Sequence, residues 1–458
     1  MNRVAVINVV GLTPSLIGAW TPGIQKFVES GWAVPLEEPF PAVTCTSQVQ
    51  MLTGTAPREH GIVGNGWYSR DSAEVGFWKQ SNGLVLTEEI YDAMKRRDPS
   101  FTCAKVFWWF NMYSGADWSV TPRPHYPADG KKVFDVYTRP MDMGAAMVEE
   151  LGPFPFQRFW GPGSGIQSSK WISLSAQWIY ERHRPTLSLV YLPHLDYPLQ
   201  KLGTSSPELQ DELLAIDDVV SELIHFYENH DVRVMLVSEY GITDVKRHVH
   251  PNRILREAGM ITVRPSLGFE LLEPGECDAF AVSDHQIAHV YVKDPSRIPD
   301  VVKLFEGTQG TRRVLHGDAI REAGLDHERS GDVILMADPD CWYTYYYWLD
   351  DDKAPDFARC VDIHRKPGYD PVELFLDPDI KVPKLRIGWT LLKKILGFRY
   401  LMNVIPLRPE LVRGSHGTPV LDRAHGPLVA SRTTELRPDA ATLPMTAVRE
   451  LIERHLES

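Results

Sequence analysis

The sequence predicts an α/β protein built on a mostly parallel central sheet. Val4–Val10, Thr186–Leu192 and Arg233–Val237 are near-continuous apolar runs, which is typical of strands buried on both faces. Helical periodicity precedes the second run over Trp171–Arg182 and separates it from the third over Leu209–Asn229. Strands that alternate with helices in this way favour parallel pairing, with the helices packed on the faces of the sheet.

The composition is that of a large globular unit. The chain has 458 residues, 43% of them hydrophobic, enough for one α/β domain with insertions or for two domains. A net charge of −12 argues against general nucleic-acid binding. The five cysteines are scattered without a C-x-x-C pair, so neither a disulfide framework nor a zinc finger is indicated. The first strand follows the initial Met without a cleavable leader pattern, from which we expect a cytoplasmic protein.

The segment Pro41–Asn65 is the candidate centre of the chemistry. Hydroxyl residues including Thr44 precede an apolar run that begins a helix, and a glycine-rich turn follows from His60. A hydroxyl at a helix N-terminus lies where free backbone N–H groups and the helix dipole favour negative charge. Thr44 could therefore cap the helix or attack a phosphate ester. The local pattern alone favours the cap.

Two motifs in this segment carry a resemblance to a known family. P-x-x-T at 41–44 and T-G-x-x-P-x-x-H-G-I-V-x-N at 53–65 resemble the nucleophile region of the type I phosphodiesterase/nucleotide pyrophosphatase family, a branch of the alkaline phosphatase superfamily. The resemblance implies an alkaline-phosphatase-like three-layer sandwich around a central, mostly parallel sheet. It also implies that Thr44 is the nucleophile and that Asn65 holds a phosphate oxygen.

Later motifs follow the family's order of metal ligands. Asp196 has the spacing of the Asp in Tyr-x-x-x-Pro-Asp, and His416 lies in a stretch similar to the family's G-x-H-G. Glu239 and Tyr240 stand where the family has Asp-His, so a phenol that donates to phosphate is expected in place of the imidazole. The resemblance implies a two-zinc hydrolase. Its implied metal ligands here are Thr44, Asp196, Glu239 and His416.

The chain departs from the family pattern at four ligand positions. These are Val10, Gln200, Glu239 and Tyr240. Two protein ligands per ion are few for zinc, which usually takes three or four. Three outcomes stay open: other groups complete the site, a single ion binds, or the metal chemistry is lost. The candidate additional ligands are Asn8, Gln200, Asp284, His285 and His364.

One group of candidate ligands lies close together in the sequence. Asp284, His285 and His289 could share a metal site, since a His pair four apart shares one face of a helix. His289–Val292, however, has the pattern of a strand. The alternative is a buried histidine whose ring nitrogens are satisfied within the protein.

These observations predict a metal-dependent hydrolase of phosphate esters that works through a phospho-threonine intermediate. The expected cofactor is one or two divalent ions, zinc first and manganese second. The expected partner is a small-molecule phosphate ester, and the sequence separates neither monoester from diester nor hydrolysis from transfer. The alternative is a metal-poor pseudoenzyme or a binding protein that keeps the phosphate pocket.

Two further regions bear on the substrate and on the domain organisation. Residues 66–165 are rich in aromatic side chains and are expected to form an inserted cap of strand edges and loops. Exposed aromatic residues there would hold an apolar or ring-bearing group. Residues 381–407 mix basic and apolar side chains, so they are expected to form a helix docked on the core or one in peripheral contact with a membrane near a lipid-linked substrate. We expect a catalytic domain over 1–430 and a polar tail with a short helix over 431–458.

Overall fold

The computed structural model describes residues 1–129 and 132–458. Its strands, in chain order, are β1 Val4–Val9, β2 Trp32–Glu37, β3 Gly66–Ser69, β4 Glu74–Phe77, β5 Cys103–Val106, β6 Trp118–Pro122, β7 Val136–Arg139, β8 Leu187–Leu192, β9 Arg233–Val237, β10 Thr243–Asp244, β11 Arg247–Val249, β12 Val263–Ser266, β13 Phe269–Leu272, β14 Ala279–Asp284, β15 Ile287–Val292, β16 Thr311–His316, β17 Val333–Ala337, β18 Cys341–Tyr343, β19 Gly414–Ser415, β20 Leu428–Ser431 and β21 Leu443–Pro444.

The helices lie mainly between the strands. They are α1 Pro22–Glu29, α2 Thr44–Thr53, α3 Pro57–His60, α4 Ile90–Arg97, α5 Met143–Leu151, α6 Ile166–His183, α7 Asp196–Leu202, α8 Leu209–Glu228, α9 Pro251–Glu257, α10 Ile298–Phe305, α11 Asp318–Glu322, α12 Pro383–Ile395 and α13 Ala447–Glu457. Helices α1, α6 and α8 pack together, and α2 packs with α13. This agrees with the expected layering of helices and sheet.

The central sheet has the strand order β21-β2-β20-β9-β1-β8-β5-β6-β7. The three apolar runs of the sequence form its middle, because β1 pairs in parallel with β8 on one side and with β9 on the other. Strands β5 and β6 continue the parallel arrangement, whereas β7 and β20 run antiparallel to their neighbours. The mostly parallel α/β sheet predicted from the sequence is confirmed.

A second, antiparallel sheet stands beside the first, with the order β14-β15-β17-β16. The hairpin between β14 and β15 turns at His285 and Gln286. His285 has a φ of +60°, in the left-handed region that L-residues enter rarely. This turn brings Asp284 and His285 to the site described below.

The expected inserted region, 66–165, is divided in the structure. Its strands β5, β6 and β7 form one edge of the central sheet, and its intervening loops carry the aromatic side chains that line a cavity. Two of its residues, 130 and 131, lie outside the described residues. The segment expected as a polar tail, 431–458, supplies β21 and α13. The apolar face of α13 is buried in the main core through Val448, Leu451 and Ile452.

Tertiary pairing sets the ends of two elements. Strand β18 ends at Tyr343, and the aromatic residues after it pack into a buried cluster of their own. Helix α9 begins at Pro251, because the preceding residues 247–249 pair with β18 as strand β11.

Candidate active site

The ends of the parallel strands bring the candidate residues together. Asn8 lies in β1, where it is in register with Tyr191 of β8 and Val237 of β9. Asp196 follows β8, and Glu239 and Tyr240 follow β9. Because parallel strands end at the same edge of a sheet, these side chains converge there, at the usual position of chemistry in open α/β folds.

Thr44 is the first residue of α2, and the helix cap is Val43. The hydroxyl of Thr44 lies 3.0 Å from the phenol oxygen of Tyr240. The capping role that the local pattern favoured is therefore wrong. The side chain of Thr44 is 4% exposed and faces the ends of the strands.

A chain of hydrogen bonds leads away from Thr44. The phenol of Tyr240 donates to Asp196 Oδ1 at 3.1 Å, and the amide of Gln200 donates to Asp196 Oδ2 at 2.7 Å. The phenol of Tyr369 donates to Gln200 Oε1 at 3.0 Å. A phenol has a single proton, so Tyr240 must accept from Thr44 while it donates to Asp196. Burial raises the pKa of Asp196 to about 6, against the lowering effect of the hydrogen bonds from Gln200 and Tyr240.

His416 closes this side of the site. Its Nδ1 lies 2.7 Å from the carbonyl oxygen of Ala42, so Nδ1 carries a proton. Burial lowers the pKa of His416 to about 3, which keeps the ring neutral and leaves Nε2 with a free lone pair 3.7 Å from Asp196 Oδ1. The ring stacks on Tyr240 with 3.6 Å between centroids. Gly417 has a φ of +124°, and a Cβ there would lie 3.0 Å from the amide nitrogen of Gln286.

Glu239 lies in a different environment, on the other side of Thr44. Its Oε1 accepts hydrogen bonds from the side-chain amides of Asn8 and Gln48, each at 2.6 Å. Gln48 is held in that orientation because its own oxygen accepts from the backbone N–H of Trp109 at 2.7 Å. Burial raises the pKa of Glu239 to about 8, even though the two amides lower it. The carboxyl group of Glu239 is therefore mostly neutral near pH 7.

Asn65 is fixed at both ends of its side chain. Its Oδ1 accepts from the backbone N–H of Cys45 at 3.0 Å, and its Nδ2 donates to Asp284 Oδ1 at 3.1 Å. Asp284 also accepts from the backbone N–H of Asn65 at 2.8 Å, and burial raises the pKa of Asp284 to about 7. Asp284 thus orients Asn65. The second amide proton of Asn65 can serve a ligand.

The predicted grouping of Asp284, His285 and His289 is not formed. His289 places Nε2 3.1 Å from the carbonyl of Val63 and accepts the backbone N–H of Gly331 at Nδ1, so both ring nitrogens are used. It is the buried, satisfied histidine of the alternative interpretation.

The other two histidine candidates also differ from each other. His285 lies in the site, with its ring 3.7 Å from that of Tyr369 and 3.6 Å from that of His416. His364 is exposed in the loop at 362–370. Of these two histidines, His285 lines the cavity next to Thr44 and His364 does not.

Aromatic side chains line a small cavity above Thr44, with a volume of about 50 Å³. Those from the segment 66–165 are Trp78, Trp109, Phe159 and Trp160. The remaining lining residues include Tyr197, Tyr369 and Ile363 together with Thr44, Asp196, Tyr240 and His285. The cavity is therefore polar at its base and aromatic along its walls.

The donor atoms give a direct test of whether a cation fits. Within residues 1–129 and 132–458, no three His, Cys, Asp or Glu side chains are grouped so as to hold a metal ion by themselves. Yet four buried atoms of the site, Asn8 Oδ1, Glu239 Oε2, His285 Nδ1 and His416 Nε2, have no hydrogen-bond partner among the described residues. Unsatisfied lone pairs are costly when buried, and a cation would satisfy them. The donor set suits a divalent ion provided that neutral oxygens supplement the carboxylates.

Sequence reasoning missed two residues of this site. Gln48 lies four residues after Thr44, on the same face of α2, and this spacing was the available signal. Tyr369 comes from a distant loop and only the tertiary structure brings it to Gln200. Val10, at the position where the family has Asp, is buried, and Asn8 supplies the polar group to Glu239 instead.

A family model and a curated relative match this chain. The model of the family described as type I phosphodiesterase / nucleotide pyrophosphatase matches residues 4–370. An uncharacterized pyrophosphatase/phosphodiesterase of Schizosaccharomyces pombe is 23% identical over 248 residues, which cover 53% of this chain and 45% of the yeast protein. The match therefore spans less than half the length of this curated relative.

Solved structures share the fold over nearly the whole chain. The murine ectonucleotide pyrophosphatase/phosphodiesterase 5, solved as an inactive threonine-to-alanine variant in complex with AMP, superposes with a TM-score of 0.59 at 12% identity, covering 100% of this chain and 95% of that one. Phosphonoacetate hydrolase from Sinorhizobium meliloti in complex with phosphonoformate has a TM-score of 0.62 at 13% identity, with coverage of 99% and 96%. At such low identities the likeness establishes the fold.

Proposed function

Because the chain belongs to the type I phosphodiesterase/nucleotide pyrophosphatase family, we propose that it hydrolyses phosphate esters with Thr44 as the nucleophile. The observation that carries the proposal is the position of the Thr44 hydroxyl, at the N-terminus of α2 and 3.0 Å from Tyr240. A helix N-terminus attracts the negative charge of a phosphoryl group. The inactive murine neighbour, in which a threonine is replaced by alanine, supports the same assignment by analogy.

In this proposal, Thr44 attacks phosphorus in line, its oxygen forms the new P–O bond, and the ester P–O bond on the opposite side breaks. The hydroxyl proton of Thr44 passes to the phenol oxygen of Tyr240 as Tyr240 gives its own proton to Asp196, along contacts of 3.0 and 3.1 Å. A water molecule gives a proton to the leaving oxygen, which departs as an alcohol, and the remaining hydroxide attacks phosphorus. The bond between phosphorus and the Thr44 oxygen then breaks, and that oxygen regains the proton held by Asp196 through Tyr240. The products are the alcohol and phosphate or a phosphate monoester.

Asn65 and the first turn of α2 bind the transferred phosphoryl group. In this proposal the second amide proton of Asn65 Nδ2 donates a hydrogen bond to a phosphoryl oxygen. The hydrogen bonds from Asn65 to Asp284 keep the amide from rotating. The fixed orientation matters because a preorganised donor needs no rearrangement as charge develops. Tyr240 is the other substrate-binding residue expected from the sequence, but its single proton is donated to Asp196, so in this proposal it acts on the Thr44 hydroxyl and not on a phosphoryl oxygen.

Asp196 and His416 would hold a divalent ion on one side of Thr44. Asn8, Glu239 and the Thr44 hydroxyl would hold one on the other. When bound, such an ion lowers the pKa of the nucleophile and stabilises negative charge on phosphoryl oxygens. Zinc is the metal that the family resemblance implies, and manganese suits the oxygen donors. Gln200 contributes by orienting Asp196 at 2.7 Å.

The direct test uses aryl phosphate mono- and diesters with added zinc or manganese. We expect turnover by the wild-type protein. After acid quench with a monoester, the peptide that contains Thr44 should be heavier by one phosphoryl group, and with a diester by one phosphoryl group that still carries its second ester. The Thr44→Ala variant should show neither signal. Turnover that survives in Thr44→Ala would contradict the proposal.

A second candidate is a protein that binds a phosphate ligand without turning it over. The surroundings of Glu239 favour this binding protein. Its Oε1 accepts hydrogen bonds from two neutral amides, and a protonated carboxyl group is a poor metal ligand. Elemental analysis of protein purified without chelator separates the two candidates. Near-stoichiometric metal argues for the hydrolase. Metal-free protein that binds but never cleaves aryl phosphates argues for the binding protein.

A further inference from the structure

Helix α12 packs on the protein through one narrow face only. Ile387 contacts a small apolar cluster that includes Val372 and Val404, and Thr390 on the same face is buried. Ile387 and Thr390 are three residues apart, so they lie on the same side of the helix, which faces the protein. The rest of the helix faces outward. The docked helix predicted from the sequence is therefore present, but most of its apolar surface does not take part in the docking.

The outward face of α12 and of the residue that follows it is an apolar stripe. Leu385, Trp389, Leu392 and Leu396 are exposed by 71, 54, 43 and 60%, respectively. Their spacings of four, three and four residues place them along one line, opposite Ile387. Ile395 and Phe398 extend the patch and are 80% and 64% exposed. A contiguous apolar surface of this kind marks an interaction site.

Basic side chains flank this stripe. Lys384 lies on one side of the stripe, and Arg386 and Lys393 lie on the other. Lys394 follows Thr390 by four residues and so lies nearer the inward side, and Arg399 pairs with Asp356 at 2.9 Å. The sequence from 381 to 400 contains neither Asp nor Glu. Lys393 Nζ lies 5.7 Å from the ring of Trp389, at the border between the charged and apolar surfaces. The charge is local, because the whole chain carries −12.

We propose that α12, with residues 396–398, binds the surface of an anionic lipid bilayer. In this arrangement the helix lies parallel to the membrane, with the apolar stripe in the interface and the basic side chains among anionic headgroups. Trp389 suits the interfacial region because its ring has both apolar and polar character. Among the described residues, no helix is long and apolar enough to cross a bilayer.

Charge complementarity decides between a bilayer and other occupants. A second copy of the chain docked through this face would bring its own set of basic residues against the first, at a repulsive cost. A nucleic acid would pair with the basic residues but would leave the apolar stripe in water. An anionic bilayer satisfies both surfaces at once. The inference is independent of the chemistry at Thr44.

The test measures co-sedimentation of the full chain with vesicles of phosphatidylcholine alone and of phosphatidylcholine mixed with phosphatidylglycerol. We expect binding to the mixed vesicles, weakened by salt, and little binding to the neutral ones. Arg386→Gln with Lys393→Gln should lower the partition coefficient about thirtyfold, because each basic residue near the surface contributes about a factor of five. Leu385→Ser with Trp389→Ser should lower it at least about tenfold.

Leu421→Ser is the matched control, since Leu421 is an 81% exposed leucine outside the stripe. Its partition coefficient should equal that of the wild type, and all variants should keep the wild-type circular dichroism spectrum. Equal partitioning of the wild type and the Leu385/Trp389 variant would overturn the proposal. Sedimentation velocity without lipid gives a second criterion: association of copies through this face, without vesicle binding, would also overturn it.

Discussion

The two sides of Thr44 differ in how their carboxylates are held. On one side, Asp196 is reached from Thr44 through Tyr240 and faces the free nitrogen of His416 at 3.7 Å. On the other, Glu239 is bound by the amides of two neutral residues. Burial raises the carboxyl pKa on both sides, to about 6 for Asp196 and to about 8 for Glu239. Near pH 7 the first group is mostly charged and the second mostly neutral.

This difference indicates how the chain departs from the resembled family. The Asp196 side has a carboxylate and a histidine that suit an ion, although Gln200 and Tyr240 differ from the family pattern there. The Glu239 side has a neutral network that is partly satisfied without an ion. A carboxylate in a desolvated site keeps its charge only if a cation or strong donors compensate for the lost water. We therefore expect the chemistry to depend more strongly on Asp196 than on Glu239.

The largest expected effect belongs to the residue between the two sides. Thr44→Ala should lower kcat for aryl phosphate esters by more than about 10³-fold, because it removes the attacking oxygen. Thr44→Ser keeps a hydroxyl and should retain measurable turnover. Thr46→Ser is the positional control, since the Thr46 hydroxyl donates to the Ile62 carbonyl away from the site. A kcat of Thr44→Ala within tenfold of the wild-type value would contradict the role of Thr44 as the nucleophile.

The next effect tests the two sides directly. Asp196→Asn should lower kcat by about 10²-fold to 10³-fold, because an amide neither accepts the proton relayed by Tyr240 nor balances a cation. Glu239→Gln should lower kcat by no more than about tenfold, because it replaces a neutral carboxyl group by a neutral amide of similar shape. Both variants are assayed at pH 7 with saturating zinc or manganese. Equal losses would mean that the two sides act as one site.

Tyr240→Phe breaks the link between Thr44 and Asp196 and leaves the stacking on His416 in place. We expect kcat to fall by about 10-fold to 100-fold, with a smaller change in KM. Tyr369→Phe is the matched comparison because, among the residues that the structure describes, its phenol hydrogen-bonds to Gln200 alone, at 3.0 Å. Tyr369→Phe should lower kcat by a few-fold at most. If Tyr369→Phe lowered kcat more than Tyr240→Phe does, the proposed order of the hydrogen bonds from Thr44 to Asp196 and Gln200 would be wrong.

The smallest effect is on stability, measured by thermal unfolding in the presence of a chelator. The folded protein raises the pKa of Glu239 from 4.5 to about 8, so it retains a proton that the unfolded chain has released. The stability from this proton is complete below the ordinary pKa and is lost as the pH rises through about 8. The Tm of the wild type should therefore fall by a few degrees more than that of Glu239→Gln between about pH 6 and pH 9. Parallel Tm curves would show that Glu239 is already charged in the fold.

Much of the fold followed from local patterns. The runs that became β1, β8 and β9 are apolar throughout, and this predicts central parallel strands whatever their partners. The aromatic stretch after Cys341 was harder, because a buried cluster and a strand use the same residue types. The segment 431–458, expected as a polar tail, contains α13, which buries one face in the main core.

Within the site, sequence motifs indicated Thr44, Asn65, Asp196 and His416, and the structure brings these residues to one edge of the sheet. Motifs could not indicate Gln48, or that Asp284 would bind Asn65 and leave His289 apart. Those contacts join residues from distant parts of the chain. Their partners are therefore set by tertiary packing and not by local sequence.

The sequence by itself determined the sheet, the family and the identity of the hydroxyl at the start of α2, because apolar periodicity and glycine-flanked motifs act locally. Only the tertiary structure decided which polar atoms meet, and therefore which carboxyl group is charged. Ionisation depends on burial and on neighbours far away in the chain, and no local pattern encodes either.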